Sequence, residues 1–375
     1  MKTQLALIQK LTYYLIFFIL SIFVLIEAKH LLFPIAFGIL IAYLIFPISK
    51  LLEEKLKFPR ALAILVTLIV IIALLIELLN ILLHQIGFLL ADFPELKKQA
   101  LLNVDAIQSF IENKFGVTDE AQDIWIKSKI SEIFENGDKY VTLFLSKATG
   151  TIGSIILIPI FAFFMLFYRD EAQNFIMQIV KQKQGKLTEK LLKQISRVTI
   201  KYVGGIIVVV LIISVSHCIS LSIMGLKYAI IIGILSGLFS FIPYFGTISG
   251  SIVPIVFSLL TYDNPLIIFW ILGYYIVVMF IDHNVLTPLI VGGNVHLNPF
   301  ITILSVIIGG MIWGIPGMLV VIPVIAIIKI ICDNVEGLAP WGYILGAGKT
   351  VKVPFEKLRL IVQKRKLKES LKEKK

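Results

Sequence analysis

The chain has 375 residues, 58% of them in AVILMFWYC and 16% in DEKR, where ordinary globular domains carry about 45–50% apolar and about 25% charged residues. The apolar residues are gathered into charge-free runs too long for soluble core helices, which excludes a water-soluble fold and leaves a polytopic membrane protein. The net charge of +11 does not point to nucleic acid, because 25 of the 35 Lys and Arg residues sit in four segments beside apolar runs, at 1–10, 50–60, 169–201 and 349–375.

By the positive-inside rule those four segments are cytoplasmic, so both termini lie inside. Segment 84–148, with seven basic and ten acidic residues, is expected outside. Contact of the basic segments with anionic membrane lipids is a second expectation. Cys218 and Cys332 each lie inside an apolar run, which argues against a disulfide scaffold or a zinc site.

In chain order, residues 1–83 hold three spans. Lys10 and Glu27 bracket 16 apolar residues, His30 and Lys50 bracket 19, and a run from Arg60 reaches His84 with Glu77 inside it. Each approaches the roughly 20 residues that cross about 30 Å of hydrocarbon. A signal peptide is the alternative for the first, but Ile26-Glu27-Ala28-Lys29 offers no small-x-small cleavage site. Residues 84–148 carry helical periodicity, in Val104, Ile107, Ile111 and Phe115 and again in Ile126, Ile130, Ile133 and Tyr140, and predict a small helical extracytoplasmic cap.

Residues 149–332 predict a transmembrane core. It comprises a span at Ala148 to Tyr168, an amphipathic cytoplasmic helix over 169–201 with Phe175, Ile179, Leu187, Leu191 and Ile195 on its apolar face, and a span at Tyr202 to Leu226. Tyr228 to Tyr262 is punctuated at Pro243-Tyr244-Phe245-Gly246 and predicts two short helices joined at a break. Asn264 to Ile281 is a further span. Asn284 to Ile328 is interrupted at Pro288, Gly292-Gly293, Pro299 and Gly314-Ile315-Pro316-Gly317. The last interruption must make a hairpin if the basic tail, 333–375, is to end inside. The fold expected is therefore an all-α polytopic membrane protein with about eight transmembrane helices, some of them broken or re-entrant hairpins. Small-residue spacings at Gly233/Gly237, Gly246/Gly250 and Gly310/Gly314 predict close helix packing.

Interrupted helices in lipid leave unpaired backbone groups that only protein or a water-filled cavity can satisfy, and transporters hold ions or polar substrates at such places. The candidate substrate or ion pathway is thus Pro243, Tyr244, Gly246 and Thr247 at one break, and Asp282, His283, Asn284, Pro288 and Asn294 at the other. Plain turns at the membrane surface are the alternative. Asp282 carries the reading: an intramembrane carboxylate is costly and must face protein or water, no Lys or Arg lies near it in sequence, and His283 is placed to share a proton. Glu77 and Lys329 are expected to snorkel outward. Gly310, Gly314, Pro316, Gly317 and Pro323 are candidate hinge positions. No H-E-x-x-H and no G-x-S-x-G is present, and Gly346-Ala347-Gly348-Lys349-Thr350 lacks the first glycine of a phosphate loop, Tyr343 standing there. No enzymatic activity, cofactor or metal is expected.

These residues resemble the autoinducer-2 exporter family of bacterial inner-membrane permeases. The likeness is carried by Lys201-Tyr202-Val203-Gly204, Met224-Gly225-Leu226-Lys227-Tyr228-Ala229, Ile242-Pro243-Tyr244-Phe245-Gly246, Asn284-Val285-Leu286-Thr287-Pro288, His296-Leu297-Asn298-Pro299 and Gly309-Gly310-Met311-Ile312-Trp313-Gly314-Ile315-Pro316-Gly317. The resemblance implies a secondary transporter of a small polar solute in the bacterial inner membrane, assembled as a homo-oligomer such as a pentamer, with sodium/proton antiport as the alternative. Asp282 stands where the family commonly has Glu, His283 where it often has Asn, and Asn298 where it usually has His. A proton- or sodium-coupled exporter is the leading expectation; a non-transporting membrane scaffold and a passive channel are its rivals.

Overall fold

The computed structural model describes residues 2–115, 120–136, 139, 152–180, 185–242, 246–262, 266–291, 297–335 and 337–346, and their regular structure is helical. Five helices are long and apolar enough to cross a membrane, and five further apolar helices are shorter. In chain order they begin with α1 (Lys2–Glu27), α2 (Lys29–Lys55) and α3 (Arg60–Ala91), followed by α4 (Phe93–Phe115) and α5 (Glu120–Glu135). Next come α6 (Ile152–Phe167), α7 (Arg169–Ile179) and the 39-residue α8 (Gly185–Ile223). The hairpin α9 (Ala229–Phe239) and α10 (Gly246–Thr261) precedes α11 (Leu266–Ile281), which continues through a π-helical turn at Asp282–Leu286 into α12 (Thr287–Ile290). The chain closes with α13 (Pro299–Trp313), α14 (Ile315–Asn334) and α15 (Ala339–Leu345).

Two packed groups hold many of the buried apolar side chains of the span region. In the first, α2, α3 and α6 close around Ala42, Ile45, Ile64, Leu68, Ala162 and Leu166. Gly38 makes the α2–α6 approach possible, because a Cβ there would meet Phe161 Cβ at 2.7 Å. In the second, α8, α9, α10 and α11 close around Leu221, Ile231, Ile232, Ile271 and Tyr275. Gly233 lies against the Cys218 backbone and Gly237 against Ser214, so the small-residue spacing at these two positions does bring helices together. Most of the remaining apolar side chains point outward, Phe17, Ile69, Leu74, Trp270 and Ile276 among them, as a lipid-facing surface requires.

The break expected at Gly314 is present. Gly314 has φ 67°, a left-handed value suited to glycine, and it joins α13 to α14 with Gly309 and Gly317 in backbone contact. The stretch 169–201 differs from expectation. Only α7 stands apart, and residues from Gly185 onward form the start of α8, with Leu191 and Ile195 packed on Val198, Ala326 and Ile330. Lys329 also differs: its ammonium does not snorkel but is buried, 2.5 Å from Asp333 one turn further along α14, where the pair satisfies both charges locally. Glu77 is exposed.

The expected cap is the α4–α5 pair, closed by Ala100, Val104 and Ile130 with Leu101, Ile126 and Phe134 around them. Ile133 lies outside this contact, 55% exposed. The side chains of Ile107, Ile111 and Phe115, and residue Tyr140, fall outside the described residues. Asn103 fastens the cap to the end of α10 by donating to Tyr262 O at 3.0 Å. Asp92, just after α3, accepts from Lys227 Nζ at 2.5 Å and from the Tyr228 hydroxyl. The Lys227 hydrogen bond is the chief reason the Asp92 carboxyl sits below its ordinary value. Such a group adds stability above its unfolded pKa, and that contribution is lost as pH falls through the lowered folded value.

Two adjacent glycines in α8 separate close approach from flexibility. A Cβ on Gly205 would meet Val291 Cα at 2.9 Å and Ile290 O at 3.1 Å, whereas one on Gly204 would have no neighbour within 4 Å. Gly205→Ala is expected to lower stability by about 1–3 kcal/mol through overpacking, and Gly204→Ala to be neutral or stabilising. Thermal unfolding of the two purified variants checks this; equal stabilities would contradict the packing described.

Candidate functional site

The seam between α8 and the α11–α12 helix holds two buried titratable side chains, Asp282 and His217. One stripe of that helix carries Val278, Leu286 and Ile290, which pack with Tyr274 and Val291 against Val209 and Ile213 of α8. Asp282 falls on the same stripe, four residues from both Val278 and Leu286, and is 7% exposed. Its carboxylate accepts from Thr287 Oγ1 at 2.7 Å. No ion pair among the described residues involves it. Asp282 therefore lies inside the apolar span Ile267–Ile290, eight residues before its end, or about 12 Å along a helix axis.

The helix does not break at Asp282 or Pro288, as the sequence suggests, but widens. Thr287 N–H donates to Asp282 O in the i+5 pattern, and the axis continues to Ile290. Pro288 has no N–H and crowds the carbonyl four residues earlier in a regular helix; the π turn relieves that crowding and aims Asp282 inward. The span consequently runs nine residues past the Ile281 limit read from sequence. His283 Nδ1 is 2.9 Å from Met279 O, and Asn284 donates to Phe280 O at 2.8 Å, so both ring and amide turn back on their own helix. Asn284 and Pro288 are exposed.

The other expected break lies on the α9–α10 hairpin. Pro243 and Tyr244 fall outside the described residues, as does Asn294. Gly246 starts α10 so close to the end of α9 that a Cβ would meet Ser240 Cα at 2.6 Å, and Thr247 beside it is 4% exposed. With 11 residues, α9 is about 16 Å long, roughly half of the hydrocarbon thickness. In the α13–α14 hairpin Gly310 meets Met318, Pro316 opens α14, and Gly317 and Pro323 are buried. The structure thus joins Asp282 to Thr287, and places Thr247 and the glycine hinges on two separate hairpins.

A second polar cluster was not singled out in the sequence. His217 of α8 is fully buried, with Nδ1 2.9 Å from the Tyr274 hydroxyl, which is itself 2.9 Å from Ser216 Oγ. Its ring lies 4.6 Å from that of Tyr275, whose hydroxyl is 2.6 Å from Ser236 Oγ. His217 is a titratable residue inside the apolar run Tyr202 to Leu226, and that alone is the available sequence signal. No group of three or more His, Cys, Asp or Glu side chains that could hold a metal occurs among the described residues.

The family model described as AI-2E family transporter matches residues 14–337, and the chain belongs to that family. It is an integral membrane transport protein. It is similar to YueF, a candidate transport protein of Bacillus subtilis, with 27% identity over 321 residues, 82% of this chain and 85% of that one. PerM, a candidate permease of Escherichia coli, is 22% identical over 309 residues, 80% of this chain and 86% of that one. The AI-2 transport protein TqsA of Escherichia coli is 21% identical over 318 residues, 83% and 88% of the two chains.

The Asp282–Thr287 bond generates a test of the site's geometry. Thr287→Val leaves a buried carboxylate without its donor and should cost about 1–3 kcal/mol, whereas Asp282→Asn keeps an acceptor for the Thr287 hydroxyl and should change stability by less than 1 kcal/mol or so. Thermal unfolding in detergent reads both; a larger loss for Asp282→Asn would contradict the assigned bond.

Proposed function

We propose that this chain is a secondary transporter of the bacterial inner membrane that moves a small polar solute in exchange for, or together with, protons or sodium ions, and that Asp282 carries the coupling ion. The supporting observation is a single one: a buried carboxylate inside an apolar span, held by one hydroxyl and by no basic partner among the described residues. Retaining an acidic group there costs stability, and ion coupling gives a reason to keep it. A sodium ion would find the Asp282 carboxylate and the Thr287 hydroxyl as adjacent oxygens; a proton needs only the carboxylate. A small polar solute such as autoinducer-2 is in keeping with the similarity to TqsA, an AI-2 transport protein. Sodium/proton antiport is the same site working without an organic solute.

The tip of the α9–α10 hairpin, at Gly246 and Thr247, reaches about half the membrane depth in this reading, and the α13–α14 hairpin lines or moves the path. The charge pattern places both termini and α7 in the cytoplasm and the α4–α5 cap outside. Assembly of several copies is favoured by Glu77, exposed among the outward-facing Leu74, Leu75, Leu78 and Ile81 of α3: a neighbouring copy would cover a carboxylate that hydrocarbon disfavours.

Flux into proteoliposomes loaded with a pH-sensitive dye tests the reading. Sodium alone, or an autoinducer-2-like sugar derivative under an imposed proton gradient, is expected to change the signal with the native chain. Asp282→Asn should reduce that response at least tenfold while the protein still assembles. An undiminished response in the variant would overturn the role of Asp282.

A further inference from the structure

Hydrocarbon gives a buried polar atom no alternative partner, so each unpaired one calls for an explanation. Four such side-chain atoms occur among the described residues, and three are on α8: Thr199 Oγ1, Tyr202 OH and His217 Nε2. Of these, Tyr202 and His217 are titratable, and an imidazole is the group whose ordinary range lies near neutral pH. A neutral imidazole has one donor and one acceptor nitrogen. Nδ1 is occupied by Tyr274, whereas Nε2 has nothing.

The surroundings hold no charge. The titratable groups facing His217 are Tyr274 and Tyr275 from α11 and Cys218 beside it on α8, whose thiol donates to Ile230 O at 3.3 Å. From α9 comes Ser236, and from α10 the Gly250 carbonyl that accepts from Ser236 at 2.7 Å. Because Ser236 donates there, the Tyr275 hydroxyl must donate to Ser236. With the Nε2 lone pair open, Nδ1–H donates to the Tyr274 oxygen and the Tyr274 hydroxyl donates to Ser216.

Toward the cap end the same helices border a cavity, which Ser222 of α8 reaches five residues beyond His217. A cavity of about 400 Å³ is lined by Gln85, Ser222, Gly225, Tyr228, Ala229 and Ile230. Its Ile230 is the residue that accepts from Cys218. In the other direction the seam closes: Val209, Ile213 and Val278 are 3%, 1% and 8% exposed and pack together. Beyond them lies Asp282, eight residues or about 12 Å along α11 from Tyr274. The order along the seam is cavity, His217 with Tyr274, apolar contact, Asp282.

We propose that His217 and Tyr274 form a proton-holding site on the cap side of the α8–α11 seam, separated from Asp282 by the contact of Val209, Ile213 and Val278. A proton from cap-side water adds to the lone pair of Nε2. Nδ1–H donates to the Tyr274 oxygen, and the Tyr274 hydroxyl to Ser216, both before and after this step, so the imidazolium keeps both hydrogen bonds. The proton leaves by the same nitrogen. The placement of this site in transport rests on the reading of Asp282 as ion carrier; the protonation itself does not.

The test is the ¹⁵N spectrum of histidine-labelled protein in proteoliposomes of uniform orientation, with the pH of the two faces set separately. The chain has five histidines, and the His217 signal is identified by its loss in His217→Gln, or by its shift in Tyr274→Phe if the former does not fold. The signal should convert from neutral to imidazolium as the cap-side pH falls from about 8 to about 3, and should ignore the opposite face. Tyr274→Phe should move the midpoint by about half a unit to one unit, the size of one lost hydrogen bond. A ring that stays neutral throughout, or one that follows both faces equally, overturns the proposal. Repeating the titration in Asp282→Asn separates the two readings: transport retained by that variant defeats the role of Asp282, whereas the His217 titration stands or falls on its own.

Discussion

A hydrocarbon solvent supplies no hydrogen bonds, so every polar group of the span region must be satisfied by the chain itself or by water admitted between helices. That constraint accounts for the glycines first. Gly38, Gly205, Gly233 and Gly237 bring backbones together with nothing between them, which removes room for lipid and leaves dispersion contacts to hold helices that no hydrophobic effect drives together. It also accounts for the π turn at Asp282–Leu286. A proline at position 288 would otherwise strand a carbonyl, and the widened turn answers this within one helix while giving the carboxylate an inward direction and a hydroxyl partner.

Much of the architecture was legible in the sequence because the same constraint writes itself into composition. Charge-free runs marked the helices, and Gly314 marked a hairpin that the structure confirms by its left-handed backbone. The two helices of the cap are readable as helical periodicity through Val104 and through Ile130, whereas their packing on each other is not. Other features depended on contacts far apart in the chain. Lys329 looks solitary beside Ile328 and Ile330, and only helical spacing to Asp333 shows why it can be buried. Residues 185–201 read as a surface helix because half their side chains are charged or polar, yet Leu191 and Ile195 find Ala326 and Ile330 more than a hundred positions later.

The site was legible unevenly for the same reason. Asp282 stands out as a lone carboxylate at the end of an apolar run, and its burial follows from the stripe it shares with Val278 and Leu286. His217 drew no notice, since a single histidine among apolar residues gains meaning only from Tyr274 and Tyr275, 57 and 58 positions on. Pro288 with the glycines after it predicts a break, whereas the chain adopts the softer solution of one enlarged turn.

The α8–α11 seam is thus the part of the molecule where burial, charge and irregular backbone coincide, and the proposal that the buried Asp282 carries the coupling ion requires this seam to open to water during transport. A single cysteine in place of Val209, in a chain whose Cys218 and Cys332 are replaced, reports on it directly. Reaction with a small water-soluble thiol reagent should be slow at rest and rise severalfold when a proton gradient drives turnover. Equal protection in both conditions, with transport running, would contradict the account.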